Sequence, residues 1–405
     1  MAGLMMNTTP NAIQNNQPNN PNPSAAVSGS QTGQAGAQPA SFTRSSKYHT
    51  EQGTTQTIAS ASWTSGYTQQ YQVPTYGWID TVWLTTTLAS GAKGAATLVA
   101  GADDAPWNIF SNINVTDVNG TSFMNLGGYA SWLAYDWGGY RVFRNNQSTY
   151  GYTPIDGTNG GGTGTGNAKF KLPIPLSFGQ DGLGSLPNMD AGAQYRINLT
   201  YNGPTTFYNG ASSEPGTLPN ISTLLELQAR NKAAGVDAYG NPQSTEPPAR
   251  GTIQNWTTQI IQLSSGQNTI QLTRTGNIIR NQIFIFRDSN GSRSGAETSG
   301  VVPTVIEYDI DAGTRYKMNT DTQRNNLFQW FQKDTPAGVI VFPNFIDYNN
   351  LPGGEYGAAW LPTTGATKLQ LQFTTSAAGT LEVVTNDIIP GSGAIYSAAG
   401  MAVLV

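Results

Sequence analysis

Residues 288–292 read Asp-Ser-Asn-Gly-Ser, and a close copy of this stretch, Asp-Val-Asn-Gly-Thr, occurs earlier in the chain at 117–121. Apolar residues alternate with others ahead of both copies. Alternation followed by Asn-Gly is typical of a β-strand that ends in a tight turn. The two copies therefore predict one strand-and-turn unit at two places in the chain, preceded by Ile113 and Val115 in the first and by Phe284 and Phe286 in the second.

A second repeated pair follows the first in the same order. Leu186-Pro187 and Leu361-Pro362 are separated by nearly the same offset as the two turns, and an alternating segment follows each of them. Two anchors in the same order at nearly one offset predict a duplicated unit. Within the alternating segments, matched residues lie 172 positions apart, with Ile197, Leu199 and Tyr201 corresponding to Leu369, Leu371 and Phe373.

The composition is typical of an all-β protein. Only 11% of the 405 residues are charged, while the chain contains 47 glycines and 23 prolines. Turn-forming residues combined with abundant Thr and aromatic residues favour many short strands. A chain of this length can form two domains, each with its own core.

Charge and residue usage exclude several classes of function. The net charge is −4 without a basic cluster, so direct binding of nucleic acid over a broad surface is not expected. The absence of cysteine excludes disulfides and thiolate metal sites, and a single histidine, His49, excludes a histidine metal cluster. No apolar run approaches the roughly 20 residues that span a bilayer. The N-terminus lacks the pattern of a secretory signal, so none is expected.

Three segments are predicted. Residues 1–46 form a low-complexity N-terminal arm without a charged residue before Arg44, and alone it is expected to be flexible. A disordered tail and an arm ordered on a partner surface both remain open. Residues 60–240 and 251–405 are predicted as two domains, joined by a proline-rich connector at 236–250. Apolar residues that can tether the arm are Leu4, Met5, Met6, Ile13 and Phe42.

The first domain is predicted to be mostly strand. Residues 169–176 must be extended because Pro173 and Pro175 exclude a helix. Residues 129–140 alternate poorly and are assigned to strand plus loop. A helix is predicted from Thr223, which forms a capping box with Glu226, to a stop at Gly235. The remaining predicted strands are 68–73, 78–88, 95–100, 113–116 and 195–201.

The second domain repeats the plan. A helix is predicted at 322–332 with Thr320 or Asp321 as its N-cap. Each domain then has about eight strands and one main helix. Eight antiparallel strands in two sheets form a jelly roll, so the predicted fold is all-β with two tandem jelly rolls. The strands predicted here are 259–263, 269–273, 278–286, 302–311, 338–342, 368–373, 381–384 and 402–405.

Candidate chemical sites have simpler structural interpretations. Glu307, Asp309 and Asp311 share one face of a predicted strand, which a glycosidase or hard-metal site could use, but the favoured interpretation is the solvent face of a half-buried strand. Asp288 opens a stretch like a calcium loop that lacks the later ligands. Asp103-Asp104 is interpreted as a loop capped by its own carboxylates, and His49 as a solvated histidine.

No catalytic, cofactor-binding or metal-binding residue is therefore predicted. The glycine-rich stretch 157–166 precedes an extended segment rather than a helix, so it is interpreted as a surface loop and not as a phosphate cradle. The 9 Trp, 18 Tyr and 14 Phe residues show no regular exposed ladder, which favours packing in cores and interfaces over carbohydrate stacking.

Two rolls in tandem resemble the double jelly-roll major capsid proteins of tailless icosahedral viruses, especially the tectivirus type of membrane-containing bacteriophage. The resemblance covers roughly residues 60–405. In the first roll it rests on residues 104–110 before the 117–120 turn, then on 172–176 and 186–201. In the second it rests on the helix that ends near Asp334 and on Thr335-Pro-Ala-Gly-Val-Ile-Val-Phe342. The arm departs from the helical N-terminus common in the family.

The resemblance implies a structural protein without enzymatic activity or cofactor. Its partners would be two further copies in a homotrimeric, pseudo-hexameric capsomer, neighbouring capsomers, and penton or minor capsid proteins. The arm would face inward, toward neighbouring capsomers or an internal membrane, and the loops 143–166 and 202–220 would face outward. The protein would assemble in the host cytoplasm and reside in the virion.

Two other functions remain open from the sequence. One is a carbohydrate- or receptor-binding β-sandwich protein, such as a virion spike or lectin-like module that uses a loop tryptophan such as Trp137. The other is a glycosidase that uses Glu307 and Asp309.

Overall fold

The structure is a computed structural model that describes residues 40–94, 96, 98–140, 153, 155, 164–178, 182–248, 251–311, 313–344, 360–363, 365–366 and 368–389. All of these residues belong to one compact unit, Pro39–Val405. The predicted strand at 402–405, residues 1–39 of the arm and most of the 157–166 loop lie outside the described residues. Among the described residues, no helix is long and apolar enough to cross a membrane.

The described residues of the first half of the molecule, within 42–230, form nine strands, of which one has only two residues. Three short α-helices accompany them there: α1 (Phe42–Ser45), α2 (Gly128–Asp136) and α3 (Pro204–Phe207). The strands are β1 (Tyr48–Ile58), β2 (Thr68–Gln72), β3 (Trp78–Ala89), β4 (Phe110–Thr116), β5 (Ser122–Leu126), β6 (Ala168–Pro175), β7 (Leu186–Pro187), β8 (Arg196–Tyr201) and β9 (Asn220–Arg230).

The part of the second half that the structure describes, within 253–389, again forms nine strands, and one of them again has two residues. Its helices are α4 (Arg293–Ser299) and α5 (Thr320–Phe331). The strands are β10 (Ile253–Leu263), β11 (Gly266–Gln271), β12 (Ile278–Asp288), β13 (Val305–Ile310), β14 (Gly313–Asn319), β15 (Val339–Pro343), β16 (Leu361–Pro362), β17 (Leu369–Thr375) and β18 (Gly379–Ile389).

The two halves have the same strand pairing. In the first half the orders are β1-β9-β3-β6, with β7 beside β3, and β2-β8-β4-β5. In the second half they are β10-β18-β12-β15, with β16 beside β12, and β11-β17-β13-β14. Within each half all neighbours are antiparallel, so each half has two four-stranded sheets of long strands. The predicted plan of eight antiparallel strands in two sheets, repeated once, is confirmed.

The register of pairing shows the duplication residue by residue. Leu186-Pro187 pairs with the start of β3, and Leu361-Pro362 pairs in the same way with the start of β12. β8 and β17 hold the same place in the strand order of their halves, and the matched residues 197, 199, 201 and 369, 371, 373 are all buried, in agreement with the offset of 172. The Leu-Pro anchors and the alternating segments are therefore equivalent in the two halves.

The stretches at 117–121 and 288–292 are not equivalent, and their predicted match is wrong. Residues 117–121 join β4 to β5, whereas 288–292 lead from β12 into helix α4. Their local structures nevertheless agree, because the Oδ1 of Asp117 accepts from two backbone N–H groups at 2.8 and 2.7 Å, and the Oδ1 of Asp288 does so at 2.8 and 2.9 Å. Similar sequences formed the same turn at different places in the topology.

The helix predicted from Thr223 is also wrong, because Asn220–Arg230 is strand β9. Burial alternates strictly along this strand, with Thr223, Leu225 and Leu227 inward. The Thr223 hydroxyl, which the capping box required, lies 3.1 Å from the Tyr201 hydroxyl. β9 is hydrogen-bonded between β1 and β3, and this pairing outweighs the local helix signal.

Three further assignments in the first half differ from the prediction. Gly128–Asp136 is helix α2, which explains why residues 129–140 do not alternate. The described part of 95–100 contains no strand. Tyr48–Ile58 is an eleven-residue strand that precedes the predicted domain start. The main helices α2 and α5 are equivalent, since each lies between the fifth and sixth strands of its half.

Helix α5 agrees with the prediction at 322–332, apart from its cap. The N-cap is Asn319, whose Oδ1 accepts from the N–H groups of Asp321 and Thr322 at 2.9 and 3.1 Å. This cap satisfies two of the N–H groups that lack partners in the first turn.

Candidate functional site

The candidate functional site is the junction between the two halves. Strand β10 of the second half lies beside β5 of the first half in parallel, with Trp256 opposite Met124 and Thr257 opposite Asn125. This pairing joins one sheet of each half into a single sheet with the order β15-β12-β18-β10-β5-β4-β8-β2. Backbone hydrogen bonding therefore continues from one half into the other.

Strand β12 is the core element of the junction, because residues 278–286 are all buried. Phe284 and Phe286 pack into the core of the second half. Ile283 and Ile285, on the opposite face, belong to the apolar cluster of the first half. A strand covered on both faces has apolar residues on both, as β12 does at 283–286.

A group of charged residues crosses the junction beside β12. Asp104 of the first half accepts from Arg287 at 2.5 Å and from the Nε of Arg293. Arg293 also donates to the carbonyl of Asp103 at 2.6 Å, and its guanidinium lies 4.3 Å from the centre of the Tyr129 ring. Because these charges are mostly buried, removal of one partner would leave another uncompensated.

Glu382 on β18 completes this charged group. Its carboxylate lies 3.6 Å from Arg287, which is the guanidinium that also pairs with Asp104. Burial raises the pKa of Glu382, and the attraction of Arg287 offsets only part of that effect. Burial alone would lower the pKa of Arg287, but Asp104 and Glu382 together raise it.

A second set of contacts joins the ends of the two main helices. Lys333 donates to the carboxylate of Asp136 at 2.6 Å, and its Nζ lies 4.2 Å from the centre of the Trp137 ring. The Trp137 ring packs at 5.1 Å against Phe331 at the end of α5. Arg280 of β12, which is 1% exposed, donates to the carbonyl of Gly138 at 2.5 Å.

A cleft of about 570 Å³ opens at this junction, between the N-terminus of α2 and strands β10, β12 and β18. Its lining includes Arg287 and Glu382. Three of its buried polar atoms, Asn108 Oδ1, Tyr129 Oη and Thr258 Oγ1, have no hydrogen-bond partner in the described part of the chain. A polar lining of this kind can hold water.

The three carboxylates at 307–311 do not form one site. Glu307 pairs with Lys317 at 2.9 Å, the Oδ2 of Asp309 accepts from Gln372 at 2.6 Å, and Asp311 accepts from the backbone N–H of Lys368 at 3.0 Å. A bulge between Tyr308 and Asp309 interrupts the strand, and Asp309 is buried rather than solvent-facing. Among the described residues, no group of three His, Asp or Glu side chains can hold a metal ion.

The other candidate residues have structural partners. His49 is not simply solvated, because its ring stacks on Tyr76 at 3.8 Å and contacts Glu51 at 3.3 Å. The carboxylates of Asp103 and Asp104 bind the second half rather than cap their own loop. Trp137 is fully buried at the end of α2, so it is not a loop residue that can stack on a glycan.

No motif in the sequence marks Arg280, Arg287 and Arg293 as residues of the junction. One signal was available in the run Ile-Ile-Arg-Asn-Gln-Ile-Phe-Ile-Phe at 278–286, where both alternating faces are largely apolar. A strand that buries two faces needs a partner on each side. The identity of the second partner depends on residues far away in the chain, which no local pattern contains.

No protein-family model matches the sequence, and neither does any curated protein. Solved structures do match. The STIV MCP aligns with a TM-score of 0.61 and 13% identity, over 85% of this chain and 97% of its own. PBCV-1 VP54, fitted into a reconstruction of the virophage Sputnik, gives 0.59 and 13%, over 86% and 96%. The major capsid protein P2 from bacteriophage PM2 gives 0.52 and 10%, over 85% and 98%.

The fold is a double jelly roll. The alignments cover nearly the whole of the matched chains, so the likeness includes both rolls and not one roll alone. In this double jelly roll, the first and second halves are the two rolls, and β12 with its arginines is the main contact between them.

Proposed function

We propose that this protein is a structural major capsid protein of an icosahedral virus, without enzymatic activity. The observation that carries the proposal is the repetition of the same nine-strand pairing in one chain, joined through one continuous sheet. The likeness to the STIV MCP and to the major capsid protein P2 of bacteriophage PM2 supports the same role, since it extends over both rolls.

The duplicated rolls suit a trimer. Three subunits with two similar rolls each present six similar outer edges around a threefold axis, which gives a pseudo-hexameric capsomer. Closed cyclic symmetry is the common solution for proteins built from identical subunits. Neighbouring capsomers, penton proteins and minor capsid proteins are then the expected partners, and the virion is the expected location.

The segment boundaries follow the same proposal. Residues 60–240 and 251–405 contain most of the two rolls, and the arm 1–46 would face neighbouring capsomers or an internal membrane. A shell protein of net charge −4 without a basic cluster is suited to a particle in which it does not contact nucleic acid directly.

The native mass of the purified protein tests the proposal. A species with three times the chain mass of 43.0 kDa is the expected result by native mass spectrometry or light scattering. A strict monomer, even at the highest concentration at which the protein stays in solution, would contradict it. Electron microscopy of the trimer at high concentration then checks for pseudo-hexagonal particles about a threefold axis.

A further inference from the structure

The strand contact that joins the two rolls uses one strand from each roll, and the equivalent strands of the opposite rolls are not joined to each other within the chain. The junction pairs β10, the first strand of the second roll, with β5, the fifth strand of the first roll. Their counterparts in the other roll are β1 and β14. In the described part of the molecule each of these is the end strand of its sheet, with β1 bonded to β9 and β14 bonded to β13. Among the described residues, β1 and β14 therefore have no neighbouring strand on their outer sides.

The residues of β1 that correspond to the junction residues of β10 can be identified from the pairing register. Trp256 lies opposite Asn386, which lies opposite Asn281, the residue just after the bulge in β12. In the first roll, Thr50 lies opposite Gln228, which lies opposite Thr81, the residue just after the equivalent bulge in β3. Thr50 and Glu51 therefore occupy the positions of Trp256 and Thr257.

The same procedure locates the matching residues of β14. Asn125 lies opposite Asn114, which lies opposite Asn198 in β8. Thr314 lies opposite Asp309, which lies opposite Gln370 in β17, and Asn198 and Gln370 are 172 positions apart. Gly313 and Thr314 therefore occupy the positions of Met124 and Asn125.

We propose that β14 of one subunit pairs in parallel with β1 of the next, with Gly313 opposite Thr50 and Thr314 opposite Glu51. This inference rests on the proposed capsomer and names the strands that hold it together. This contact between subunits is equivalent to the contact between β5 and β10 that joins the two rolls within a chain. The two contacts alternate around the trimer, so that every roll is hydrogen-bonded to the next through paired strands.

The chemistry of the two strands fits this pairing. Both are highly exposed: all seven residues of β14 and ten of the eleven in β1 are at least partly accessible. An exposed end strand presents unpaired backbone groups that a second copy can satisfy. The two strands carry opposite charges, because Glu51 lies on β1 with 44% of its side chain exposed and Arg315 is exposed on β14.

The contact is head-to-tail, since different strands meet on the two subunits. Contacts of this type close into a ring when the rotation allows it and otherwise extend into a filament. Each chain contributes two rolls, so six equal steps close after three chains. A closed trimer leaves no β1 or β14 edge unpaired.

Engineered disulfides test the pairing directly, because the natural chain contains no cysteine. The test variant carries Glu51→Cys and Thr314→Cys. Neighbouring strands lie about 4.8 Å apart, which is within the range of Cα distances that a disulfide can bridge. The matched control carries Glu51→Cys and Thr269→Cys, since Thr269 is an exposed residue on β11, the opposite end strand of the sheet that contains β14.

We expect most chains of the test variant to form covalent dimers and trimers on mild oxidation, seen on a non-reducing gel and reversed by reductant, with no more than a trace in the control. A native trimer that crosslinks no better than the control would overturn the strand pairing but leave the proposed function intact. A protein that is monomeric before oxidation would overturn both.

A charge exchange provides a second test that needs no crosslink. Thr314→Glu should weaken the trimer at least about tenfold, because it places a second carboxylate opposite Glu51, and dissociation on dilution in mass photometry measures the loss. The double variant Glu51→Lys with Thr314→Glu should recover affinity to within a few-fold of the natural protein. A double variant no more stable than Thr314→Glu alone would contradict the proposed contact between these strands.

Discussion

At the scale of single residues, the junction depends on buried guanidinium groups that no short motif marked. Arg293 is 6% exposed and donates to the carboxylate of Asp104, to the carbonyl of Asp103 and, at 2.7 Å, to the carbonyl of Ala337. Its acceptors lie on both rolls. Arg293 therefore fixes the orientation of one roll relative to the other, in addition to contributing to stability.

Replacement of Arg293 by Met is expected to lower the free energy of unfolding by about 3 kcal/mol, as is typical when a buried ion pair loses one partner. The physical reason is that Asp104 would stay buried with one of its two cationic partners removed. Urea unfolding followed by tryptophan fluorescence measures the change.

Lys317→Met is the matched control, because it removes an ion pair with Glu307 from an exposed strand. Such pairs contribute little in water, so no measurable shift of the urea midpoint is expected. Equal effects of the two substitutions would show that the buried charges at the junction have no special role.

At the scale of elements, β9 shows how strand pairing overrides a local helix signal. Thr223, Glu226 and the leucines between them suit a helix start, yet the segment lies between β1 and β3 along its whole length. The capping box gains two hydrogen bonds, whereas the strand satisfies its backbone on both sides and buries every second side chain.

The two structures of this segment predict different effects for neighbouring leucines. In a helix Leu224 and Leu225 would lie about 100° apart and could both border one apolar face, whereas in β9 they point to opposite faces, with Leu225 fully buried and Leu224 partly exposed. Leu225→Ala is therefore expected to cost about 2–5 kcal/mol of unfolding free energy, by loss of apolar contacts and the cavity it leaves. Leu224→Ala should cost clearly less. Urea midpoints of the two variants, compared at equal slope, check this order, and similar losses would contradict the strand.

At the scale of the whole molecule, the junction makes the two rolls one body. A continuous sheet, the double-faced strand β12 and two sets of charged contacts cross it. The connector between the rolls contributes little by comparison. It contains an exposed turn in which Asp237 accepts from the N–H groups of Tyr239 and Asn241 at 2.8 Å, and Tyr239 is 91% exposed.

A cut in this turn should therefore leave the protein assembled. We expect a protease site inserted between Tyr239 and Gly240 to be cleaved readily, since the turn is accessible. The two fragments should appear separately on a denaturing gel and together, at the mass of the uncut protein, by native mass spectrometry. Separation of the fragments under native conditions would show that the connector, and not the junction, holds the rolls together.

Several features were predictable because they depend on local chemistry. Nearby residues determine each of them: the alternation in β8 and β17, the extended β6 with its prolines, the Leu-Pro pairs, and helix α5. The Asp-x-Asn-Gly turns also formed as predicted, but they could not reveal their place in the topology. A turn is specified by a handful of residues, and such a stretch recurs wherever the chain must reverse or start a helix.

The sequence by itself determined an all-β chain of two repeated rolls, without disulfides or a basic surface, because composition and alternation depend on the residues themselves. Only the tertiary structure decided that Asn220–Arg230 is a strand, that Gly128–Asp136 is a helix, and that β10 pairs with β5. The physical reason is that these outcomes depend on burial and pairing between residues far apart in the chain. Asp104 and Arg293, for example, are 189 positions apart, and only the folded chain brings them together.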